Sequence, residues 1–155
     1  MQDITTIRYD DSHKDDILQL SERLRKIDEY ECVAMGALDG YHGLLLSLYE
    51  KDMISYLGYI NNEPVWAYGI HTVNVEGLGY CIWLLGTDAV DHNKRYFLTE
   101  SKRIIRKWQR EYGQLWNMVS QENTSAIRWL RWLGAEFSES NVEGFILFTL
   151  PAMSE

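Results

Sequence analysis

The chain reads LWNMVSQENTSAIRWLRWLG at residues 115–134, and this stretch decides the fold. Leu115 to Val119 is a short, mostly apolar run, which predicts a strand. Asn123 and Thr124 offer side-chain oxygens that cap the first turn of a helix over 125–133, and Gly134 follows as its C′ residue. A strand followed by a capped amphipathic helix predicts an α/β protein.

The preceding segment predicts a central strand and a long helix. Tyr80 to Leu85 has no polar alternation, a pattern typical of a strand that is buried on both faces, and we place it in the middle of the sheet. A helix is predicted from about Asn93 to Tyr112, and Gly113 ends it. Six residues at helical spacing form its predicted inward face: Phe97, Ser101, Ile104, Ile105, Trp108 and Tyr112.

Two aromatic and β-branched runs upstream, residues 54–60 and 65–70, predict a β-hairpin. The link between them is NNEP. Because proline cannot donate a ladder hydrogen bond, Pro64 is expected at the start of the second strand.

The amino-terminal third predicts one strand and two helical regions. Ile4 to Arg8 alternates as a strand, and Asp11 with Ser12 is expected to cap the helix that follows. A second helical region is predicted in two pieces, residues 28–35 and 41–49. The first helix is predicted to turn four residues inward: Ile17, Leu18, Leu20 and Leu24.

Two closing strands are predicted at residues 135–138 and 144–150. The element order is therefore β, α, α, β, β, β, α, β, α, β, β. We predict an α/β (α+β) fold with a mixed central sheet of about seven strands flanked by about four helices. Since 155 residues fit one core and no linker-like tract is present, a single domain over residues 1–155 is expected.

Composition limits the function classes. The net charge of −8 disfavours nucleic-acid binding because a polyanion would be repelled. No run approaches the roughly 20 apolar residues of a bilayer span, and no secretory signal is visible, so neither membrane insertion nor secretion is expected. Cys32 and Cys81 lack the spacing of metal ligands or of a disulfide framework. We expect both cysteines to be reduced core residues and expect no metal site.

The element order and two local motifs resemble the GNAT acetyltransferase superfamily. INNEPVWA at residues 60–67 resembles the family's hairpin. The strand at 117–119 and the helix at 123–134 resemble its last motif, with an Asn, an Ala at the third position after it, and a Leu-Gly ending. This second motif is the more specific of the two.

A narrower resemblance covers mainly residues 80–150. Trp83–Thr87 and Leu115–Asn117, with the helix at 123–134, are similar to a bacteriophage GNAT-like family that includes internal virion protein A of short-tailed coliphages. This resemblance implies a phage protein that is located in the host cytoplasm or in the virion.

The GNAT resemblance implies that the pyrophosphate of acetyl-CoA would lie against the loop after the central strand, which needs glycines and exposed N–H groups. Here the loop, residues 87–95, has no glycine and contains Asp88 and Asp91, whose carboxylates would repel a pyrophosphate. Two interpretations stay open. Lys94 and Arg95 could bind phosphate in compensation, or Asp91 could simply cap the long helix, which we favour.

The catalytic groups that the resemblance implies are also altered. The general acid of the superfamily, often a Tyr on the short helix, corresponds to Leu130, which cannot donate a proton. Tyr96 and Tyr112 are substitutes on the long helix, although tyrosines there are more often packing residues. Other titratable residues in the region are His71, His92 and Glu76. We assign no catalytic residue.

Three surface features could serve a partner. Asp28, Glu29 and Glu31 lie where family members often build the acceptor site, but we favour a solvated acidic face. Trp129 and Trp132 share a helix face and either pack in the core, which we favour, or form an association surface. A solvated face is also favoured for the basic residues of the long helix: Lys102, Arg103, Arg106, Lys107 and Arg110.

The leading hypothesis is a phage-associated pseudoenzyme without a cofactor, which binds a protein partner as a virion or assembly component or as a modulator of a host protein. The alternative is an N-acyltransferase that moves acetyl from acetyl-CoA to an amine. A homo-oligomeric module is a third candidate. In the enzymatic alternative, the residues that hold acetyl-CoA are Leu84, Leu85, Thr87, Lys94, Arg95 and Asn123.

Overall fold

The computed structural model describes residues 2–154, in which seven strands and six helices alternate in a mixed α/β order. The strands are β1 Ile4–Arg8, β2 Met53–Ile60, β3 Glu63–His71, β4 Tyr80–Gly86, β5 Leu115–Ser120, β6 Glu136–Glu139 and β7 Phe145–Leu150. The helices are α1 Asp15–Ser21, α2 Lys26–Ala34, α3 Gly40–Tyr49, α4 Ala89–His92, α5 Lys94–Glu111 and α6 Thr124–Trp132. The predicted fold class is confirmed, with six helices in place of about four.

The strands form one sheet in the order β1-β2-β3-β4-β5-β7-β6, so β4 takes the predicted central position. β1 is antiparallel to β2, and β7 is antiparallel to both β5 and β6. β4 and β5 are parallel, with Tyr80 opposite Leu115 and Cys81 opposite Trp116. Three of the seven residues of β4 are buried and four are half-buried, so the prediction that it is buried on both faces is only partly correct.

The chain divides into two compact units. The first unit contains Met1–Ile70 and Trp83–Lys94, and the second contains His71–Ile82 and Arg95–Glu155. The single domain predicted for residues 1–155 stays a prediction.

The predicted hairpin is β2 and β3, and its turn is built by asparagines. Asn61 and Asn62 have φ values of 50° and 69°, the left-handed backbone that two-residue hairpin turns require and that asparagine tolerates. Pro64 is the second residue of β3, at the start of the strand as predicted.

The core of the first unit packs α1 and α3 against the sheet. Its buried side chains include Ile17, Leu20, Leu44, Leu57 and Leu85. Leu18, which was predicted to point inward, is 54% exposed. The prediction for Leu18 is wrong because successive residues of a helix point about 100° apart, and Ile17 already points to the core.

The amino-terminal cap lies one residue earlier than predicted. Asp10 accepts the N–H of Ser12 at 2.9 Å and caps a short 3-10 turn, Asp11–His13, which precedes α1. This turn takes up the capping chemistry, and α1 itself begins without a side-chain cap.

The predicted long helix, from about Asn93 to Tyr112, is confirmed as α5, which runs from Lys94 to Glu111. A short helix that was not predicted, α4, precedes it, and the Asn93 side chain donates to the carbonyl of Ala89 at 2.9 Å at the end of α4. Asp91 therefore lies inside α4, and the prediction that it caps the long helix is wrong. Its carboxylate instead lies 3.9 Å from the guanidinium of Arg25.

The core of the second unit packs α5 and α6 against β5 and β7. Ile105 and Trp108 of α5 are buried, whereas the other four residues of the predicted inward face are half-buried. Asn123 accepts the N–H of Ala126 at 3.3 Å and caps α6, as predicted. Gly113 and Gly134, after α5 and α6, have φ values of 132° and 95°, which suits glycine at the end of a helix.

Candidate functional site

Residues at the start of α2 form hydrogen bonds with the carboxyl end of β4, and we call this arrangement the closure of β4. The N–H of Gly86 donates to Asp28 Oδ2 at 2.9 Å, and the carbonyl of Gly86 accepts the N–H of Arg25 at 2.9 Å. The next residue, Thr87, donates its N–H in the other direction, to the Val65 carbonyl of β3 at 3.0 Å. Gly86 therefore directs both of its backbone groups away from β3 and toward the start of α2.

Asp28 is the centre of this closure. It is 2% exposed, and its Oδ2 atom also accepts Arg25 Nε at 2.9 Å. Burial raises the pKa of the Asp28 carboxyl, while the Arg25 guanidinium and the Gly86 N–H act in the opposite direction. A buried carboxylate usually requires a charged partner and hydrogen-bond donors. Here Arg25 is the cation and the Gly86 N–H is the backbone donor.

The prediction of a solvated acidic face is wrong for Asp28. α2 packs its first turn against the end of β4, where the Gly86 N–H has no strand partner, and Asp28 supplies that partner. Glu29 is exposed, as predicted, and its Oε2 atom accepts the N–H of Gly40 at 3.4 Å.

Thr87 anchors the loop on the opposite side. Its hydroxyl donates to the carbonyl of Val65 at 3.0 Å and accepts the N–H of Ala89 at 3.2 Å, so it caps α4. Gly86 allows this close packing, because a Cβ atom there would lie 2.8 Å from Val90 Cγ2. The hydroxyl of Thr87 is therefore fully engaged within the protein.

The six residues predicted to hold acetyl-CoA divide between the two units. Leu84, Leu85, Thr87 and Lys94 belong to the first unit, and Arg95 and Asn123 belong to the second. Their joint role in cofactor binding stays a prediction.

Besides Thr87, two more of these six residues already have structural roles. The Leu85 side chain is 8% exposed in the core of the first unit. Asn123 is 5% exposed and caps α6. Leu84 precedes Gly86 by two residues, so its backbone groups point away from β3 like those of Gly86.

The candidates for proton transfer occupy ordinary structural positions. Leu130, at the position of the family acid, is 2% exposed and belongs to the core. Burial and the neighbouring Glu100 raise the pKa of Tyr96, which makes it a poorer acid near neutral pH. The ring of Tyr112 packs against Tyr80 with a centroid distance of 5.3 Å.

A groove of about 650 Å³ lies in the first unit beside the β2–β3 turn. Arg23 crosses it and donates to the Pro64 carbonyl at 2.6 Å and to Glu63 at 3.4 Å. Its lining residues are Gln2, Arg23, Ile60, Asn61, Glu63, Val65, Thr87, Asp88, Ala89, His92 and Asn93. The ionisable groups have both signs, so the groove shows no preference for an anion.

No three His, Cys, Asp or Glu side chains among residues 2–154 are arranged to bind a metal ion. Within the same range, no helix is long and apolar enough to cross a bilayer. Neither Cys32 nor Cys81 forms a disulfide bond, and both are half-buried. Burial raises the pKa of the Cys32 thiol to about 11, with Asp28 adding to the effect, so this thiol is not an activated nucleophile.

The two tryptophans of α6 have different surroundings. Trp129 donates to Ser101 Oγ at 3.1 Å and packs on the ring of Phe97, so it joins α6 to α5 as the core interpretation expects. Trp132 is 51% exposed, with the ammonium of Lys102 at 5.1 Å from its ring centre, and the core interpretation is wrong for it.

The basic residues of α5 make mainly local contacts. Arg103 pairs with Glu100 at 3.0 Å, and Lys107 lies 3.9 Å from Glu111. Arg106 donates to the Leu133 carbonyl at 2.9 Å. The contacts of Arg103 and Lys107 agree with the favoured interpretation of a solvated helix face, whereas Arg106 is half-buried and joins α5 to the end of α6.

Local sequence patterns do not predict the roles of Arg25 and Gly86, although both build the closure of β4. Asp28 and Gly86 are separated by 58 residues, and no local pattern relates them. The one local signal is the spacing of Arg25 and Asp28, which lie three residues apart at the start of a helix.

Residues 65–141, just under half of the chain, match the model of a family described as Bacteriophage T7, probable scaffold protein Gp13. No curated protein matches the chain. The phage connection expected from the sequence is therefore supported by a family match, whereas the narrower relation to the internal virion protein A family is not.

Solved structures share the fold at low sequence identity. The GNAT domain of S. lividans PAT is 10% identical, with a TM-score of 0.69 over 94% of this chain and 89% of that one. The ribosomal-protein-S18-alanine N-acetyltransferase from Escherichia coli is 14% identical, with a TM-score of 0.63 over 100% and 96%. A GNAT-family acetyltransferase from Bacillus anthracis is 13% identical, with a TM-score of 0.65 over 96% and 95%. The chain has the GNAT fold.

Proposed function

We propose that this GNAT-fold protein acts by binding a protein partner, as a phage virion or assembly component or as a modulator of a host protein, and that it does not transfer acetyl groups. The observation that carries the proposal is the closure of β4. Both backbone groups of Gly86 are bonded to Arg25 and Asp28, so they are not available to an extended ligand arm.

The charges near this strand end do not fit acetyl-CoA either. Asp28, Asp88 and Asp91 place carboxylates at or just after the end of β4, and a pyrophosphate would be repelled by them. The Thr87 hydroxyl is engaged with Val65 and Ala89, and the loop at 87–95 offers no glycine for a close backbone approach. Acetyl-CoA does not fit the groups that are present here.

The phage part of the proposal is supported by the match over residues 65–141, whose family description is a probable scaffold protein. A scaffold or virion component works through contacts with other proteins, and such a role needs no cofactor. The similarity of residues 80–150 to the internal virion protein A family belongs to the same proposal. The proposed location is accordingly the virion or the host cytoplasm.

A second candidate is N-acyl transfer from acetyl-CoA to an amine, which is favoured by the names of the structural neighbours. Two of them are acetyltransferases, and one of these is named for an alanine of a ribosomal protein. In that case the backbone of Leu84 and Leu85 would hold the pantetheine arm. Lys94, Arg95 and Asn123 would hold the remainder of the cofactor, and Thr87 would lie beside it.

Calorimetric titration with acetyl-CoA, checked by tryptophan fluorescence, separates the two candidates. We expect no binding at millimolar cofactor, whereas saturable binding in the micromolar range would overturn the proposal and justify a screen of amine acceptors. As a control, residues 88–94 are replaced by a glycine-rich GNAT loop, which should create or strengthen binding. A folded loop variant that still does not bind would count against the six predicted cofactor residues.

A further inference from the structure

The exposed apolar side chains of the described residues are concentrated on the first three helices. Seven of the eleven large hydrophobic residues with high exposure lie between α1 and the end of α3, in less than a quarter of the chain. They are Leu18, Tyr30, Val33, Met35, Leu38, Leu46 and Tyr49. We call these seven residues the α1–α3 surface. Scattered single residues of this kind need no explanation, but a concentration of them indicates an interaction site.

Tyr30 and Val33 lie three residues apart on α2 and form an apolar ridge, and Leu46 is exposed on α3. Tyr49 is 46% exposed, but its hydroxyl bonds to Tyr9 and Asp11. The two helices are in close contact, because a Cβ atom at Gly43 of α3 would lie 2.5 Å from Cys32 Sγ of α2. Ridges on neighbouring helices offer grooves into which a third helix packs.

The first unit, which contains the α1–α3 surface, carries the net negative charge of the chain. The first unit contains 15 acidic and 7 basic residues, whereas the second contains 8 of each. Residues 15–49, which carry the α1–α3 surface, contain seven acidic and three basic residues. The field around this surface is therefore negative, which favours a cationic partner and repels anionic lipid and nucleic acid.

We propose that the α1–α3 surface binds a cationic amphipathic helix of a partner protein. This inference rests on the proposed binding function and gives the chemistry of the partner. A second copy of the chain is a poorer occupant. Its own basic amphipathic helix, α5, has Ile105 and Trp108 buried in the second unit and cannot present them without unfolding.

The test uses a synthetic helix of about 18 residues, with leucine and lysine at helical spacing, and the full-length chain. We expect saturable binding at near-physiological salt, and none of a matched peptide with glutamate in place of lysine. The double variant Val33→Gln/Leu46→Gln should weaken binding at least about tenfold, because two apolar contacts are lost.

The matched control is Val73→Gln/Val75→Gln, which changes two exposed valines of the second unit, 46% and 39% exposed. It should bind within about twofold of the unchanged chain. Folding of each variant is checked by circular dichroism. If the double variant does not fold, Leu38→Gln, at a position that is 77% exposed, replaces it with an expected loss of about threefold or more.

Several outcomes would overturn this proposal. The lysine peptide could fail to bind, or it could bind equally to the Val33/Leu46 variant, in which case charge alone attracts it. Light scattering could instead show a dimer that the Val33/Leu46 variant dissociates, which would make a second copy the occupant. If neither the lysine peptide nor acetyl-CoA binds, the proposed role of this surface is overturned, but the proposed function is not. If acetyl-CoA binds and is turned over, the proposed function is overturned.

Discussion

The ends of β4 and β5 are both followed by a turn and a helix, but they are stabilised in opposite ways. After β5, Asn123 caps α6 through Ala126, three residues along the chain. After β4, Gly86 is held by Asp28, which is 58 residues away in sequence. The β5 turn carries the residues that resemble the GNAT motif, whereas the loop after β4 contains no glycine at residues 87–95 and the end of β4 is held by a buried ion pair.

This difference shows which turn depends on one segment of the chain and which depends on two. The contacts of the locally capped turn after β5 lie within one segment. The end of β4 depends on contacts from another segment, and those contacts occupy both backbone groups of Gly86. The two turns therefore respond to substitutions in different parts of the sequence.

The largest expected change in unfolding free energy comes from removing Asp28, which contacts Gly86 from a distant part of the sequence. Asp28→Ala removes the partner of a guanidinium that is only 15% exposed and leaves the Gly86 N–H without an acceptor. Breaking a buried pair from one side costs about 3 kcal/mol of unfolding free energy. Urea unfolding of the variant and the unchanged chain measures this loss.

The matched control for that variant is Asp15→Ala, on the exposed first turn of α1, which should change the unfolding free energy by less than about 0.5 kcal/mol. Equal effects of the two substitutions would mean that Asp28 does not stabilise the end of β4.

A smaller effect is expected at the locally capped turn. Asn123→Ala removes the side-chain acceptor of the Ala126 N–H and should cost about 1 kcal/mol of unfolding free energy, while Asn123→Asp should retain most of the stability. Thermal unfolding of the two variants compares them. A loss as large as that of Asp28→Ala would contradict the contrast between the two turns.

The smallest expected effect is a pH dependence of the unfolding free energy, which the substitution Asp28→Asn removes. Burial raises the pKa of Asp28 above its ordinary value of 3.8, so between these two values the folded chain binds more protons than the unfolded chain. The unfolding free energy contributed by Asp28 is therefore highest below the ordinary value and falls as pH rises through the raised value.

Unfolding by urea at steps from about pH 3.5 to pH 7, in the unchanged chain and in Asp28→Asn, isolates this contribution as a difference. The advantage of the unchanged chain over Asp28→Asn should shrink as pH rises. If that advantage grows with pH, the Arg25 guanidinium outweighs burial and the carboxyl pKa is lowered.

The sequence alone predicted the order of the strands and most of the helices, because hydrophobic period and turn residues act within each segment. The asparagine turn at 61–62, the cap at Asn123 and the glycines at 113 and 134 are all readable from neighbours along the chain. The resemblance to the GNAT superfamily came from the same local patterns, and the fold is confirmed.

Only the tertiary structure decided which polar and apolar side chains are buried. Asp28 is buried where it accepts the Gly86 N–H at the end of β4, and Asp91 lies near Arg25 because it belongs to the short helix α4. Leu18 is exposed although it lies beside Ile17. Hydrophobic periodicity predicts which face of a single helix or strand is buried. The burial of a charged group depends instead on hydrogen-bond donors and cations from distant segments, whose positions follow only from the assembled fold.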